Sequence, residues 1–279
     1  MSYLVTLDVF SGRENPTWVI PDSEAGDVQT RLRAAEKDIA GGRPSDILGY
    51  RGVRITPIER QDVSKERLLE SAGEDDGSVY ISGVPELEDY LLATGGGLVD
   101  DVVGQHVREI LAQPQLRYPS LEAAVVCPKC QAADAPAYNP GFWNDPARQP
   151  HNNCYNYANN QATNTFAQPG RATGRPITGL TCQGVQPSAQ SDGLAPSAGF
   201  NAPLAQGKGW YVALVMWPGV DYHWYRQDDG GCWSHKPGQT PATDLDNSGQ
   251  KIADPRTCNR GGYTDFCTYM ITGNWVRIN

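Results

Sequence analysis

The chain has 279 residues, of which 20% are charged, and a formal net charge of −9 at pH 7. An acidic chain lacks the basic stripe that neutralises phosphates, so no nucleic-acid partner is expected. No stretch approaches the roughly 20 consecutive apolar residues that span a bilayer, so no membrane partner is expected either.

Composition changes sharply near residue 126. Residues 1–126 carry 22 acidic and 12 basic side chains and no cysteine, whereas residues 127–279 hold all seven cysteines and six of the seven tryptophans. Such a change predicts two modules rather than one uniform domain. We predict an acidic α+β module for binding, targeting or inhibition over residues 1–112. A connector over 113–149 and a cysteine-rich candidate catalytic domain over 150–279 follow.

The first module is predicted to mix strands and helices. Apolar alternation, turn residues and caps predict strands at 3–10, 52–58 and 78–81 and helices at 23–39, 85–93 and 99–111. Ser23 is the expected N-cap of the first helix, and Gly41 and Gly42 are expected to end it. His106 lies among polar residues in the last helix, and we predict that it is a solvated surface histidine.

The second module is predicted to pack a helix on an antiparallel sheet, which makes the whole chain α+β. The helix is expected at 154–164 and strands at 209–217, 221–226, 232–236 and 274–278. Asp229-Gly230 between two of these runs predicts a hairpin. A turn pivoting on that pair places Trp224 opposite His235, so that His223 and His235 point to opposite faces of the sheet.

The segment His151-Asn152-Asn153-Cys154-Tyr155-Asn156-Tyr157-Ala158 is the most informative one. Asn153 is a good N-cap, which puts Cys154 in the first turn of a helix. Unpaired N–H groups and the helix dipole favour a thiolate there. His223 begins a strand after the buried one, and a cysteine and a histidine so placed form a candidate thiolate–imidazolium pair.

This segment resembles the papain-like cysteine hydrolases, in the broad sense that includes cell-wall amidases. Their nucleophile opens a helix and is followed by an aromatic, any residue, an aromatic and a small residue, as in Cys154-Tyr155-Asn156-Tyr157-Ala158. The resemblance covers residues 149–247. It implies a hydrolase that cleaves peptide or other amide substrates, or transfers the acyl group to an amine, without a cofactor or metal.

The resemblance also implies residue roles. Cys154 would be the nucleophile, and His223 would be the imidazolium that protonates the leaving amine, with His235 as its rival. Asp246 would orient the histidine, with Asp244 and Asn247 as alternatives. The family places an oxyanion-stabilising glutamine six residues before its nucleophile, where this chain has Arg148; Gln149 or Asn152 would take that role.

A non-enzymatic interpretation stays open beside this one. Cys154 would then pair with another cysteine, such as Cys182, in a disulfide-stabilised β-rich module that binds glycan or peptide. Tryptophans in the second module could line a binding cleft, although three or more of them are expected in the core. These are Trp210, Trp217, Trp224 and Trp233.

Seven cysteines in about 150 residues are typical of an oxidised, secreted or extracytoplasmic domain, although the first residues do not resemble a secretory signal. Cys127 and Cys130 have zinc-knuckle spacing, but a local disulfide or a longer cross-link is favoured over zinc because no second pair follows. Cys258 with Cys267, and Cys182 with Cys232, are the other expected bridges. Three bridges would leave Cys154 as the free thiol.

Asp244-Leu245-Asp246-Asn247-Ser248-Gly249 resembles the opening of a calcium loop. The bidentate glutamate that such a loop needs at its twelfth position is Pro255 here. We therefore predict an ordinary Asx-turn in this segment.

Overall fold

The computed structural model describes residues 1–39, 47–58, 77–113 and 125–279. Its helices and antiparallel sheets confirm the α+β class. The described residues form two compact units. The first lies within Met1–Val9, Asn15–Ser45 and Tyr50–Arg117, and the second within Phe10–Glu14, Asp46–Gly49 and Tyr118–Asn279. The predicted boundaries at residues 112 and 149 stay predictions.

The first unit contains four strands and four helices in its described residues. They are β1 (Ser2–Asp8), β2 (Thr17–Ile20), α1 (Ala25–Ala34), α2 (Glu36–Ile39), β3 (Gly52–Ile58), β4 (Val79–Ile81), α3 (Pro85–Thr94) and α4 (Asp101–Ala112). The strands form an antiparallel sheet in the order β2-β1-β3-β4.

Alternation explains the core of this sheet. Val5 and Leu7 of β1 are fully buried, as is Val53 of β3, because every second residue of a strand faces the same side. The buried Arg51 guanidinium donates to the Asp8 carboxylate over 2.5 Å. A buried ion pair of this kind is tolerated in a core because each charge neutralises the other and the two groups are hydrogen-bonded.

Two details of the first unit differ from the prediction. The helix begins at Ala25 after an N-cap at Glu24, and Ala35 separates it from α2, so Ser23 does not cap it. The predicted stop at Gly41 and Gly42 lies outside the described residues. His106 is partly buried rather than solvated, and burial lowers its pKa.

The second unit contains three short helices and five strands in its described residues. They are α5 (Pro140–Trp143), α6 (Cys154–Ala158), α7 (Cys182–Ser191), β5 (Ala195–Ser197), β6 (Trp210–Trp217), β7 (Asp221–Gln227), β8 (Trp233–His235) and β9 (Asp265–Thr272). The strands form one antiparallel sheet in the order β5-β9-β6-β7-β8.

The apolar run at 209–217 forms a central strand, as predicted. All eight residues of β6 are buried, since helices or loops cover both faces of the sheet and β9 and β7 flank it. The four tryptophans at 210, 217, 224 and 233 are also buried, so they belong to the core and do not line a cleft.

The helix and the last strand differ from their predicted bounds. Helix α6 ends at Ala158 rather than 164, and Asn160 adopts a left-handed φ of 52°, which asparagine tolerates and which stops the helix. The strand beside β6 is β9, at residues 265–272, and 274–278 lie outside it.

Two disulfides are present, Cys127–Cys232 and Cys182–Cys267, and Cys130, Cys154 and Cys258 are free. A free Cys154 is confirmed. The expected bridges of Cys258 with Cys267 and of Cys182 with Cys232 are wrong, as is the count of three. Linear spacing does not decide pairing, because both bonds join segments more than 80 residues apart.

No helix within the described ranges combines the length and the apolar composition required to cross a membrane.

Candidate functional site

Cys154 begins helix α6, as the sequence predicts. Asn153 Oδ1 accepts hydrogen bonds from the backbone N–H groups of Tyr155 (3.0 Å) and Asn156 (3.1 Å). The Asn156 side chain in turn accepts from the Asn153 N–H over 3.1 Å. This reciprocal capping box explains how a helix of only five residues is held in place.

The Cys154 thiol is buried rather than presented to solvent. Desolvation raises its pKa far above the ordinary value, and the nearby Asp221 carboxylate raises it further. A backbone hydrogen bond at Trp224 and the charge of Lys236 oppose the rise without cancelling it. The group is therefore a neutral thiol at neutral pH, and a thiolate is what nucleophilic attack needs.

The β7–β8 hairpin has a register one residue away from the predicted one. Tyr225 pairs with His235, and Gln227 pairs with Trp233. The loop holds three residues, Asp229 to Gly231, because Gly231 adopts a φ of 93° as in a bulged turn. A shift of one residue moves every side chain of a strand to the other face, so His223 and His235 share a face instead of opposing one another.

The two histidines form a hydrogen-bonded pair. His223 Nε2 lies 2.9 Å from His235 Nδ1, and His235 Nε2 lies 3.0 Å from the Leu245 carbonyl oxygen. Because a carbonyl only accepts, neutral His235 carries its proton on Nε2, and His223 donates to its Nδ1. His223 Nε2 and His235 Nδ1 are thus the donor and the acceptor of one hydrogen bond.

Helix α6 packs on the opposite face of β7. The Trp224 ring lies 5.4 Å from the Tyr155 ring, and the Arg226 guanidinium lies 4.2 Å above the Tyr157 ring. Since side chains alternate along a strand, His223 points away from α6. Cys154 thus begins the helix on one face of β7, and the His223 side chain lies on the other face.

The other predicted site residues serve as local anchors. Asp246 accepts from the N–H groups of Ser248 (2.8 Å), Gln250 (3.1 Å) and Asn259 (2.9 Å), which confirms the Asx-turn. Asp246 therefore caps a loop.

The two candidate oxyanion donors also bond elsewhere. Gln149 Nε2 donates to the Gln239 carbonyl over 3.2 Å. Asn152 Nδ2 donates to the Arg148 carbonyl over 2.8 Å and to Asn164 Oδ1 over 2.7 Å. Both amides connect the segment before α6 to its surroundings.

Lys236 is one of two buried charged anchors that sequence reasoning missed. Its ammonium donates to the carbonyls of Gln149 (2.6 Å), Asn152 (2.5 Å) and Gly238 (2.6 Å). All three ammonium donors are thereby used, and the segment that leads into α6 is attached to the end of β8.

Asp221 is the second such anchor. Its carboxylate accepts from the N–H groups of Ser11 (2.6 Å), Gly12 (3.2 Å) and Arg13 (3.2 Å) and from the Tyr263 hydroxyl (2.6 Å). Burial raises the pKa of Asp221, and these donors oppose the rise. No local pattern signals this contact, because the two segments lie more than 200 residues apart in sequence.

We expect iodoacetamide to leave Cys154 unlabelled in the native, non-reduced protein, even at about pH 8, because the thiol is both buried and protonated. The partly exposed Cys130 is the internal control and should react first. In guanidinium chloride all three free thiols should react. Peptide mass mapping reads the result, and fast labelling of native Cys154 at about pH 6 would contradict this account of its environment.

Among known proteins, the insoluble matrix shell protein 1 of Ruditapes philippinarum is 49% identical to this chain over 142 residues. The match covers 51% of this chain and 93% of that protein. The chain belongs to the same family. No family model and no solved structure matches it.

This relative corrects one expectation. It is named as a matrix protein and not as a hydrolase, so the prediction of a hydrolase and thiol protease is wrong. The predicted disulfide bonding is present, although the cysteines are paired differently. The papain-like resemblance of residues 149–247 is not tested by this match and stays a prediction.

Proposed function

We propose that this chain is a non-enzymatic structural component of an insoluble matrix. Its second unit acts as a disulfide-stabilised, β-rich module that binds the matrix polymer, glycan or peptide. The observation that carries this proposal is the burial of Cys154, because desolvation raises the pKa of its thiol and removes it from solvent.

The sequence similarity to an insoluble matrix shell protein supports the same conclusion. So does the construction of the second unit. Two disulfides join distant segments, and the charges of Asp221, Arg226 and Lys236 are buried and hydrogen-bonded. Such a unit is rigid, and a rigid surface loses little conformational entropy when it binds a polymer.

The proposal is tested by co-sedimentation of the full chain with insoluble polymers. Cellulose and chitin serve as glycans, and collagen fibrils serve as the peptide polymer. We expect the wild-type chain to pellet with at least one of them at micromolar concentrations. Cys154→Ala should pellet equally well, because the thiol takes no part in binding.

Two results would oppose the proposal. One is a wild-type chain that stays in solution with all three polymers. The other is cleavage of a peptide or amide substrate that the folded Cys154→Ala variant cannot perform, with circular dichroism as the check on folding.

A further inference from the structure

We propose that a glycan stacks on the indole ring of Trp275. The polymer that the second unit binds is accordingly one built from pyranose rings. This inference rests on the proposed function and names both its ligand class and its contact residue. It concerns a tryptophan outside the segment that resembles the hydrolases.

Trp275 is the exception among the tryptophans. All seven lie in the described part of the chain, and six of them are at most 7% exposed, whereas Trp275 is 48% exposed. Burial of an indole is strongly favourable, and Trp275 stays in solvent although contacts with its surroundings define its position.

The Trp275 ring lies face-on against a glycine. A β-turn follows β9 and is closed by the Val276 N–H donating to the Gly273 carbonyl over 3.0 Å. A Cβ added to Gly273 would lie 2.5 Å from Cη2 and 2.8 Å from Cε3 of Trp275, with Cζ3 nearer still. Similar distances to three neighbouring ring atoms place this glycine over the face of the ring and not at its edge.

Gly273 does not adopt a positive φ, so its backbone conformation does not require glycine. The Trp275 indole above position 273 does require glycine there, because any side chain at that position would displace the indole. One face of the indole is thus covered by Gly273, which leaves the opposite face for a ligand.

The indole is also held in orientation. Its Nε1–H donates to the Gly193 carbonyl over 3.1 Å, and a Cβ added to Gly209 would lie 2.8 Å from Cη2. These contacts restrict rotation of the ring about its side-chain bonds. Because its rotamer is selected during folding, a ligand does not have to immobilise it.

A pyranose ring is the ligand that fits a single flat aromatic face. The π-face of indole is negative, and the C–H groups on one side of a sugar ring carry partial positive charge. Exposed hydrogen-bond donors for sugar hydroxyls lie next to Trp275 in the chain, at Asn274 and Arg277.

A proline-rich peptide would need a groove lined by several aromatic residues. Among the exposed large apolar side chains of the described residues, the only other aromatic one is Phe142. The Arg148 guanidinium already lies 4.3 Å above the Phe142 ring, so that face is occupied. A single aromatic ring that is available for stacking therefore favours a glycan over a proline-rich peptide as the ligand.

The first test uses the wild-type chain and needs no variant. Acrylamide should quench mainly Trp275, since the six other tryptophans are buried. Cellotriose and chitotriose are the soluble probes. We expect one of them to reduce the quenchable fraction, and unchanged quenching at saturating concentrations of both would overturn the proposal.

The second test compares Trp275→Ala with Phe142→Ala, an exposed aromatic of comparable size whose face is already covered. We expect Trp275→Ala to weaken sedimentation with cellulose or chitin at least about tenfold, and Phe142→Ala to leave it unchanged. Thermal melting confirms that both variants are folded.

The outcomes separate the two proposals. Equal glycan binding by wild type and folded Trp275→Ala would overturn the stacking proposal and leave the matrix function standing. Sedimentation with collagen alone would do the same. Sedimentation with no polymer would remove the proposed function itself.

Discussion

Arg226→Met is expected to lower the free energy of unfolding of the second unit by about 3 to 5 kcal/mol. Arg226 is fully buried, and its guanidinium lies 2.8 Å from the Asp228 carboxylate. It also donates to Asn160 Oδ1 over 3.0 Å and to the Tyr157 hydroxyl over 3.1 Å. Methionine fills part of the volume but leaves the carboxylate buried without its counter-charge.

The pKa of Asp228 supports this expectation. Burial raises it, and Arg226 is the largest influence that lowers it. Without the guanidinium the carboxylate has to take up a proton or remain charged in a core, and both cost free energy. Urea denaturation of each variant measures the loss.

The matched control is Arg148→Met. Arg148 forms an ion pair with Asp145 in the same unit over 3.5 Å, but both side chains are more than one-third exposed. Exposed pairs contribute up to about 1 kcal/mol, so this variant should remain close to wild type. An Arg226→Met variant no less stable than Arg148→Met would refute the expectation, and adding Asp228→Asn should recover part of the loss.

Removal of the Cys127–Cys232 disulfide is the second large effect that we expect. The bond joins residues separated by 105 positions, and the chain-entropy model gives a loss of about 4 to 5 kcal/mol for a loop of that length. The double variant Cys127→Ala, Cys232→Ala is the suitable one, because a single change leaves a thiol beside the free Cys130. Thermal and urea unfolding measure the loss.

Cys130→Ala is the control, since Cys130 lies in the same segment as Cys127 but forms no disulfide. It should unfold close to wild type. A reducing agent should lower the stability of the wild-type protein to that of the double variant or below it, because it also opens the Cys182–Cys267 disulfide. Unfolding of the double variant at the wild-type urea concentration would show that the bond does not stabilise the unit.

Much of the fold follows from local signals. The apolar run of β6, the alternation of β1 and β3 and the cap at Asn153 are all where the sequence predicts them. Each depends on residues adjacent in the chain, and adjacent residues decide periodicity and capping. For the same reason Cys154 opens a helix, as expected.

The candidate site was predicted less well, because its geometry depends on one residue of register. Gly231 adds a third residue to the β7–β8 loop, and that single addition places His235 on the face of the sheet that carries His223. A Cβ added to Gly231 would overlap the Pro128 carbonyl, so this turn is selected partly by a segment more than 100 residues earlier.

The sequence by itself determined the α+β class, the principal strands and the helix that Cys154 begins. The tertiary structure alone decided the disulfide partners, the burial of Cys154, the contact of Asp221 with residues 11–13 and the exposed ring of Trp275. The physical reason is range. Periodicity and caps act over a few residues, whereas pairing, desolvation and exposure depend on segments that meet only in the folded chain.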